Sequence, residues 1–149
     1  MRTMSVALCT LAVSILAMQG GCANPDRELR KKDTEFAADA AKRGPFSTTR
    51  PVGSAHEAPA RAEVGYGLKR LSIVNLSNED WSNVEVWVNR QYVCFLPRME
   101  KGILKRIDFT MLYNDRGQHF PRDNATVRVE QVHLVKDGKV YPVKTQLSE

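Results

Sequence analysis

The stretch from Val84 to Leu96, VEVWVNRQYVCFL, carries the clearest fold signal in this 149-residue chain. Two runs of alternating apolar and other side chains flank Asn89-Arg90, and such alternation is typical of β-strands with one buried face. Asparagine tolerates the left-handed conformation that a two-residue hairpin turn requires, although Arg90 stands where glycine is ideal. We therefore predict a β-hairpin that turns at Asn89-Arg90. In that register one face, the core face, contains Val84, Val86, Val88, Val93 and Phe95.

The opposite face of the predicted hairpin pairs Trp87 with Tyr92. An aromatic pair of this kind stacks on a sugar or a peptide when it is exposed, or packs against a second layer when it is buried. Trp87 and Tyr92 are therefore candidates for a ligand or partner surface, with core packing as the alternative.

Further short strands are predicted on both sides of the hairpin. Leu71 to Leu76 precedes it, and Ile103 to Met111 follows it, with Lys105 on the apolar face near the exposed end of that strand. The last pair, Ala125 to Val135 and Lys139 to Val143, is joined at Asp137-Gly138, a strong signal for a tight hairpin turn. Proline lacks the N–H that a sheet ladder needs, so Pro142 predicts that the final strand lies at a sheet edge.

These hairpin-linked strands predict an all-β domain over residues 66–149, a small antiparallel β-sandwich with a small barrel as the alternative. The segment 71–89, LSIVNLSNEDWSNVEVWVN, resembles the strand-loop-strand of immunoglobulin-like and fibronectin-like modules of exported bacterial proteins. The resemblance implies an immunoglobulin-like architecture and no particular activity, since such modules serve adhesion, spacing and ligand binding alike.

Residues 22–65 are predicted to form a flexible or partly helical tether. Only five of the residues from 23 to 65 are large and apolar, namely Leu29, Phe36, Phe46, Val52 and Val64. Asn24-Pro25 and Gly44-Pro45 are start and stop signals for a possible helix over 25–43. The rest of the segment is rich in proline and small polar residues and is predicted to be a disordered linker.

Residues 1–21 have the pattern of a signal peptide. Arg2 is followed from Val6 to Met18 by thirteen residues without charge. As a helix this run would span roughly 20 Å, against about 30 Å for the hydrocarbon core of a bilayer. The length favours export over a membrane span.

The residues that follow, Gln19-Gly20-Gly21-Cys22, resemble the lipobox of bacterial prolipoproteins. The resemblance implies that Cys22 is lipidated and that the chain is exported and anchored to a bacterial membrane through that lipid. An ordinary secretory signal cut near Gly21-Cys22-Ala23 is the alternative. In either case Cys94 is left without a partner for an internal disulfide, and its place between Val93 and Phe95 predicts a buried, inert thiol.

Composition and motifs argue against an enzyme or a nucleic-acid-binding protein. The net charge is +5, from 22 Lys and Arg against 17 Asp and Glu, which is too mild to indicate a nucleic-acid partner in an exported chain. The familiar nucleophile, zinc, P-loop and dinucleotide motifs are missing, and His56, His119 and His133 are scattered. No catalytic residue, metal ligand or cofactor is therefore predicted.

The long connection from Leu112 to Asn124, LYNDRGQHFPRDN, is the other candidate binding surface, because long loops often carry function. Its candidate residues are Asn114, Asp115, His119 and Asp123, and Phe120-Pro121 is expected to plug the loop onto the domain. Together these patterns predict a non-enzymatic binding or interaction module at the cell envelope, with an envelope protein or a cell-wall polymer as partner. The alternatives are a small-ligand module for a glycan, peptide or cation, or a soluble secreted protein without lipid.

Overall fold

The structure is a computed structural model that describes residues 27–123 and 126–148. Within these ranges one α-helix, α1 (Asp33–Arg43), follows a 3₁₀ turn at Arg27–Leu29, and a second 3₁₀ turn spans Phe109–Met111. The strands are β1 (Ala60–Gly65), β2 (Arg70–Asn75), β3 (Trp81–Val88), β4 (Tyr92–Met99), β5 (Leu104–Asp108), β6 (Val132–Lys136) and β7 (Lys139–Leu147).

The seven strands form one mixed sheet in the order β4-β3-β6-β7-β1-β2-β5, which curls into a nearly closed barrel. All neighbouring strands are antiparallel except β1 and β7, which run parallel. The predicted β-rich class is confirmed. The arrangement differs from the predicted antiparallel sandwich, because a parallel pair joins the strands into one continuous sheet and no clear immunoglobulin-like pair of sheets results.

The segment expected to be a tether is packed against this sheet. Leu29, Phe36 and Ala40 are buried in the core, and α1 lies along β4 and the second 3₁₀ turn. Strand β1, drawn from the predicted linker, pairs with β2 on one side and β7 on the other. The few apolar residues of this segment are enough to dock it, since small alanines let the helix approach the edge strand closely.

The helix begins at Asp33, where the Glu35 carboxylate accepts a hydrogen bond from the Lys32 N–H at 2.8 Å.

The hairpin of β3 and β4 forms at the predicted turn but in a different register. Asn89 and Arg90 both have positive φ, and the Gln91 N–H closes the turn on the Val88 carbonyl at 3.0 Å. Gln91 then adds one residue to the loop, so Val88 pairs with Tyr92 rather than with Gln91. A shift of one residue exchanges the faces of a strand. The predicted partners of the buried valines were therefore wrong, and their neighbours across the hairpin are Tyr92, Cys94 and Leu96.

The second hairpin confirms the turn signal and corrects the edge prediction. Lys136 pairs with Lys139 across Asp137-Gly138, both with positive φ. Strand β7 is not an edge, because it lies between β6 and β1. It tolerates Pro142 because its parallel neighbour is interrupted there: Val140 pairs with Val52, and pairing with β1 resumes only at Lys144.

The predicted signal peptide, residues 1–21, and the predicted lipidation site Cys22 lie outside the described residues. Over the described ranges, no helix combines the length and the apolar character needed to cross a membrane.

Lys105 on β5 is fully buried, with 0% of its side chain exposed, although the sequence places it near an exposed strand end. It pairs with Ile73 in the sheet and its Nζ contacts the carboxylates of Glu28, in the first 3₁₀ turn, and Glu100, the latter at 2.7 Å. Burial by itself lowers the pKa of Lys105, but the hydrogen bonds that its ammonium donates to Glu100 and Glu28 outweigh this effect, so the pKa of Lys105 is raised and the ammonium stays charged.

We predict that Glu100→Gln lowers the free energy of unfolding at pH 7 by about 1–2 kcal/mol, between the values typical of exposed ion pairs and of charged buried hydrogen bonds. Burial raises the pKa of Glu100, yet the hydrogen bond and charge of Lys105 bring it below its usual value of 4.5. A lowered carboxylate pKa stabilises the fold above the unfolded-state value and loses this effect as the pH falls. Urea unfolding at pH 7 and pH 3.5 measures both effects.

In that comparison the stability of Glu100→Gln falls less between pH 7 and pH 3.5 than that of the unaltered chain. Glu79→Gln, which changes an exposed glutamate in a nearby loop, is the matched control and stays within about 0.5 kcal/mol of the unaltered chain at pH 7. Equal acid sensitivity of all three proteins would contradict the role given to Glu100.

Candidate functional site

The two aromatic candidates, Trp87 and Tyr92, do not form a shared platform. In the observed register they project from opposite faces of the β3–β4 ribbon, and both are buried. Trp87 Nε1 donates a hydrogen bond to Glu85 Oε2 at 2.7 Å, and its ring meets Phe46 edge-on at 5.3 Å. Tyr92 packs edge-on against Phe120 at 5.1 Å. Both rings are committed to packing.

Among the four loop candidates, Asn114 has a structural role and the other three are exposed. Asn114 is buried and fastens a tight turn, because its Oδ1 accepts hydrogen bonds from the N–H groups of Arg116 at 3.1 Å and Gln118 at 2.9 Å. Asp115, His119 and Asp123 are exposed, and the His119 ring lies against Tyr113 at 6.0 Å. In the part of the chain that the structure describes, no cluster of three or more His, Cys, Asp or Glu side chains has the arrangement to hold a metal ion.

Two predictions about apolar packing are confirmed. Phe120 is fully buried and contacts Phe109 at 4.9 Å between ring centroids, so it plugs the loop onto the core. Cys94 is a buried free thiol, and burial raises its pKa to about 12. A thiol with this pKa is protonated at neutral pH and therefore unreactive.

A groove that the sequence analysis did not identify crosses the outer face of β6 and β7. We name it the β6–β7 groove. It has two adjoining parts of about 270 and 340 Å³, which share Arg90, His133 and Pro142. The first part is also lined by Phe46, Ser47, Thr48, Arg50, Val52 and Val140, and the second by Glu130, Gln131, Val132, Val143 and Thr145.

The groove exists because the sheet is incomplete on one side of β7. The chain pairs with β7 at Val52, turns away over residues 53–59, and returns as β1. It leaves where Pro142 has no N–H to offer, since a proline cannot donate to a ladder. Gly53 is needed at the departure point, because the Tyr141 ring occupies the space that a side chain would take.

His133 is the buried polar group of this groove. Only 9% of the residue is exposed, and within the described residues its Nδ1 has no hydrogen-bond partner. The ring lies 5.7 Å from that of Phe46. Burial lowers the pKa of His133, and the nearby charge of Arg90 lowers it further, so the imidazole is neutral at pH 7. A buried polar atom without a partner is costly, which marks it as a candidate binding group.

Arg90 places a positive charge beside this histidine. Its guanidinium lies 5.6 Å from the centre of the Phe46 ring, and the residue is exposed. Asn89 fixes the turn: its Nδ2 donates to the Arg128 carbonyl at 2.6 Å, and its Oδ1 accepts from the N–H groups of Glu130 at 2.8 Å and Gln131 at 3.2 Å. In the sequence this site is marked by Arg90, which stands at a turn position where glycine is ideal. In the structure Arg90 has positive φ, a backbone conformation that glycine adopts at a lower free-energy cost.

A polar cleft of about 490 Å³, larger than either part of the groove, lies near the start of β3, but most of its charged groups already form ion pairs. Glu85 contacts Arg50 at 3.1 Å and Arg43 at 3.7 Å, and Lys136 contacts Asp137 at 2.6 Å. We therefore take the β6–β7 groove as the candidate site.

Comparisons with protein-family models, with curated proteins and with solved structures find no match to this chain.

We predict that Asn89→Gly destabilises the protein, because glycine keeps the left-handed turn but loses three hydrogen bonds to the 128–131 segment. The expected cost is about 1–3 kcal/mol in the free energy of unfolding. Asn83→Gly is a matched control, since Asn83 has the same φ of 53° and is exposed. Thermal unfolding should give Asn89→Gly the lower midpoint and leave Asn83→Gly unchanged or more stable. Equal midpoints would show that Asn89 contributes only its backbone conformation.

Proposed function

We propose that this chain is an exported protein, anchored to a bacterial membrane by lipid on Cys22, whose β-rich domain is a non-enzymatic binding module at the cell envelope. The observation that carries the proposal is the uncharged run Val6 to Met18 followed by the small residues before Cys22. The partner in this proposal is an envelope protein or a cell-wall polymer, and the β6–β7 groove is its binding site.

The few residues between Cys22 and the first described residue limit how far the anchored domain can lie from the membrane. Four residues separate Cys22 from Arg27, where the first 3₁₀ turn begins. Five steps of fully extended chain reach at most about 18 Å. The anchored domain therefore stays close to the lipid surface, in contrast to a domain raised on a long flexible tether.

The end of the domain near that turn carries exposed apolar side chains. Glu28 contacts Lys105, whose neighbour Leu104 pairs with Val74 in the sheet. Leu76, Ile103 and Leu104 are 53%, 39% and 37% exposed. The backbone joins these residues, since the Gly102 N–H donates to the Asn75 carbonyl at 2.8 Å. In our proposal this apolar corner, Leu76 with Ile103 and Leu104, rests on the bilayer and leaves the groove accessible from the aqueous side.

A second candidate function is a small-ligand module without a protein or polymer partner. The observation in its favour is the size of the groove, whose parts of about 270 and 340 Å³ lie near the lower end of small-molecule sites.

The test of the anchor is the intact mass of the mature protein from the membrane fraction, beside that of a Cys22→Ser variant. We expect a mass that begins at Cys22 and includes acyl chains, and we expect the variant to lose both the acyl mass and membrane retention. A mature form that begins elsewhere and carries no lipid would instead indicate a soluble secreted protein.

We further predict that the apolar corner contacts the bilayer. Ile103→Cys can be labelled with an environment-sensitive dye, because Cys94 is buried with its pKa raised to about 12 and Cys22 is acylated in the proposal. Dye at position 103 should emit at a shorter wavelength when the labelled, lipidated protein is in vesicles than when the same labelled protein is in detergent-free buffer without vesicles. Dye on Asp115→Cys, in an exposed loop beyond the opposite end of β5, is the control and should not respond. Identical emission from both positions would contradict the proposed orientation.

A further inference from the structure

We infer that the β6–β7 groove binds a small carboxylate that carries an apolar group. The carboxylate lies at Arg90 and His133, and the apolar group lies on Phe46, Val52 and Val140. This inference rests on the proposed role of the groove as a binding site and adds the chemical class of its ligand. It does not depend on lipidation of Cys22.

The charges of the groove favour an anion. The first part has two arginines and no acidic residue in its lining. Arg50 is engaged by Glu85 at 3.1 Å. Arg90 is different, because over the ranges that the structure describes no carboxylate forms an ion pair with it, while the Phe46 ring holds its guanidinium beside the groove. A guanidinium in this position presents a planar donor pair that matches a carboxylate.

His133 supplies a second, buried group for the same ligand. Its Nδ1 has no hydrogen-bond partner in residues 27–123 and 126–148, and a ligand carboxylate can accept a hydrogen bond from a protonated Nδ1. Contact with the anion also favours the charged imidazolium, so binding raises the pKa of His133 from its lowered value. The buried position strengthens this hydrogen bond, since water competes with it less.

The remaining lining selects for an apolar substituent. The apolar residues that line the first part are Phe46, Val52, Val140 and Pro142. Val52 is 76% exposed, which is unusual for a valine that pairs with a buried strand residue. An aliphatic group that covers Val52 gains hydrophobic free energy, whereas a purely polar anion such as inorganic phosphate does not. The volume of about 270 Å³ limits this group to a few carbon atoms.

Affinity should therefore rise as the pH falls. The charged groups lining the groove around His133 are Arg50, Arg90 and Glu130, and Glu85 lies on the same face of neighbouring β3 beside Trp87. Of these groups only His133 belongs to a type that titrates between about pH 5.5 and 7.5. A ligand carboxylate of low pKa stays ionised over this range, so the pH dependence reports the histidine.

The test is an NMR titration of the mature, full-length protein with N-acetyl-leucine, following the imidazole signals of His133. The protein is held in lipid nanodiscs where its mass shows acylation and is in buffer where it does not. Two other probes accompany it: 4-methylpentanoate, a simple aliphatic acid, and N-acetyl-leucinamide, which has the same side chain but no charge. We expect saturable shifts with the carboxylates, a raised His133 pKa in the complex, and at least tenfold weaker binding of the amide. Tighter binding of N-acetyl-leucine identifies a peptide-like carboxyl terminus as the source, and tighter binding of 4-methylpentanoate identifies a short aliphatic acid.

Variants separate a specific site from general attraction to positive charge. Arg90→Gln should weaken binding of the carboxylates at least fivefold, and Arg90→Lys should weaken it less. Arg128→Gln is the matched control, because Arg128 also lies over an aromatic ring, Tyr66 at 6.0 Å, but outside the β6–β7 groove. Thermal unfolding of each variant shows whether it is folded.

Three results would overturn the inference: no saturable shift at His133, equal affinity for N-acetyl-leucine and its amide, or equal weakening by Arg90→Gln and Arg128→Gln. These failures are distinguishable from failure of the proposed function. If Arg90→Gln abolishes crosslinking to an envelope partner while no carboxylate binds, the groove remains a binding site and the ligand class is wrong. If carboxylates bind and Cys22 carries no lipid, the anchor is wrong and this inference stands.

Discussion

The curled sheet depends on how the two edge strands, β4 and β5, are closed against each other. These two strands are consecutive in the chain, yet they lie at opposite ends of the strand order in the sheet. The N-terminal segment covers this gap with Phe36 and Ala40 from α1, and with Glu28, which reaches the buried Lys105. A buried ammonium is expensive unless carboxylates surround it, so Lys105 requires both Glu28 and Glu100 to be in place. The pairing therefore favours one arrangement of the N-terminal segment over the many in which apolar contacts alone are satisfied.

The second constraint is the register of the β3–β4 hairpin. Trp87 faces outward in both the predicted and the observed register, but because Gln91 lengthens the loop by one residue, Tyr92 faces inward. Outward-facing Trp87 needs a cover, and Phe46, from the chain that follows α1, provides it. The same ring holds Arg90 and lies beside His133, so one aromatic side chain links the closure of the sheet to the wall of the groove. The register predicted from the sequence places Tyr92 opposite Trp87 on this outer face, whereas the observed register places Val93 there.

The sequence predicted local features well and long-range ones poorly. The turns at Asn89-Arg90 and Asp137-Gly138, the burial of Phe120 and the inert Cys94 follow from properties of neighbouring residues, and the structure agrees with each. The place of β1 did not follow, because its alternation is short and one of its two partners, β7, lies about 80 residues further along the chain. The site was missed for the same reason: Phe46, Arg90 and His133 are scattered in the sequence, and only the sheet order brings them together.

Pro142 illustrates how a local rule can be right in its physics and wrong in its conclusion. A proline cannot donate to a neighbouring strand, so the sequence favoured an edge position. The fold satisfies the same requirement differently, by directing residues 53–59 away from β7 at that point and letting β1 resume beyond it. The sheet therefore has an opening beside Pro142, at the position where the proline cannot donate a hydrogen bond. In that opening His133 is buried with an Nδ1 that finds no partner among the described residues, and none of their carboxylates forms an ion pair with the nearby Arg90. Filling this opening would satisfy or cover the Nδ1 of His133, so its emptiness costs stability, and this cost is the reason for taking the groove as the candidate site.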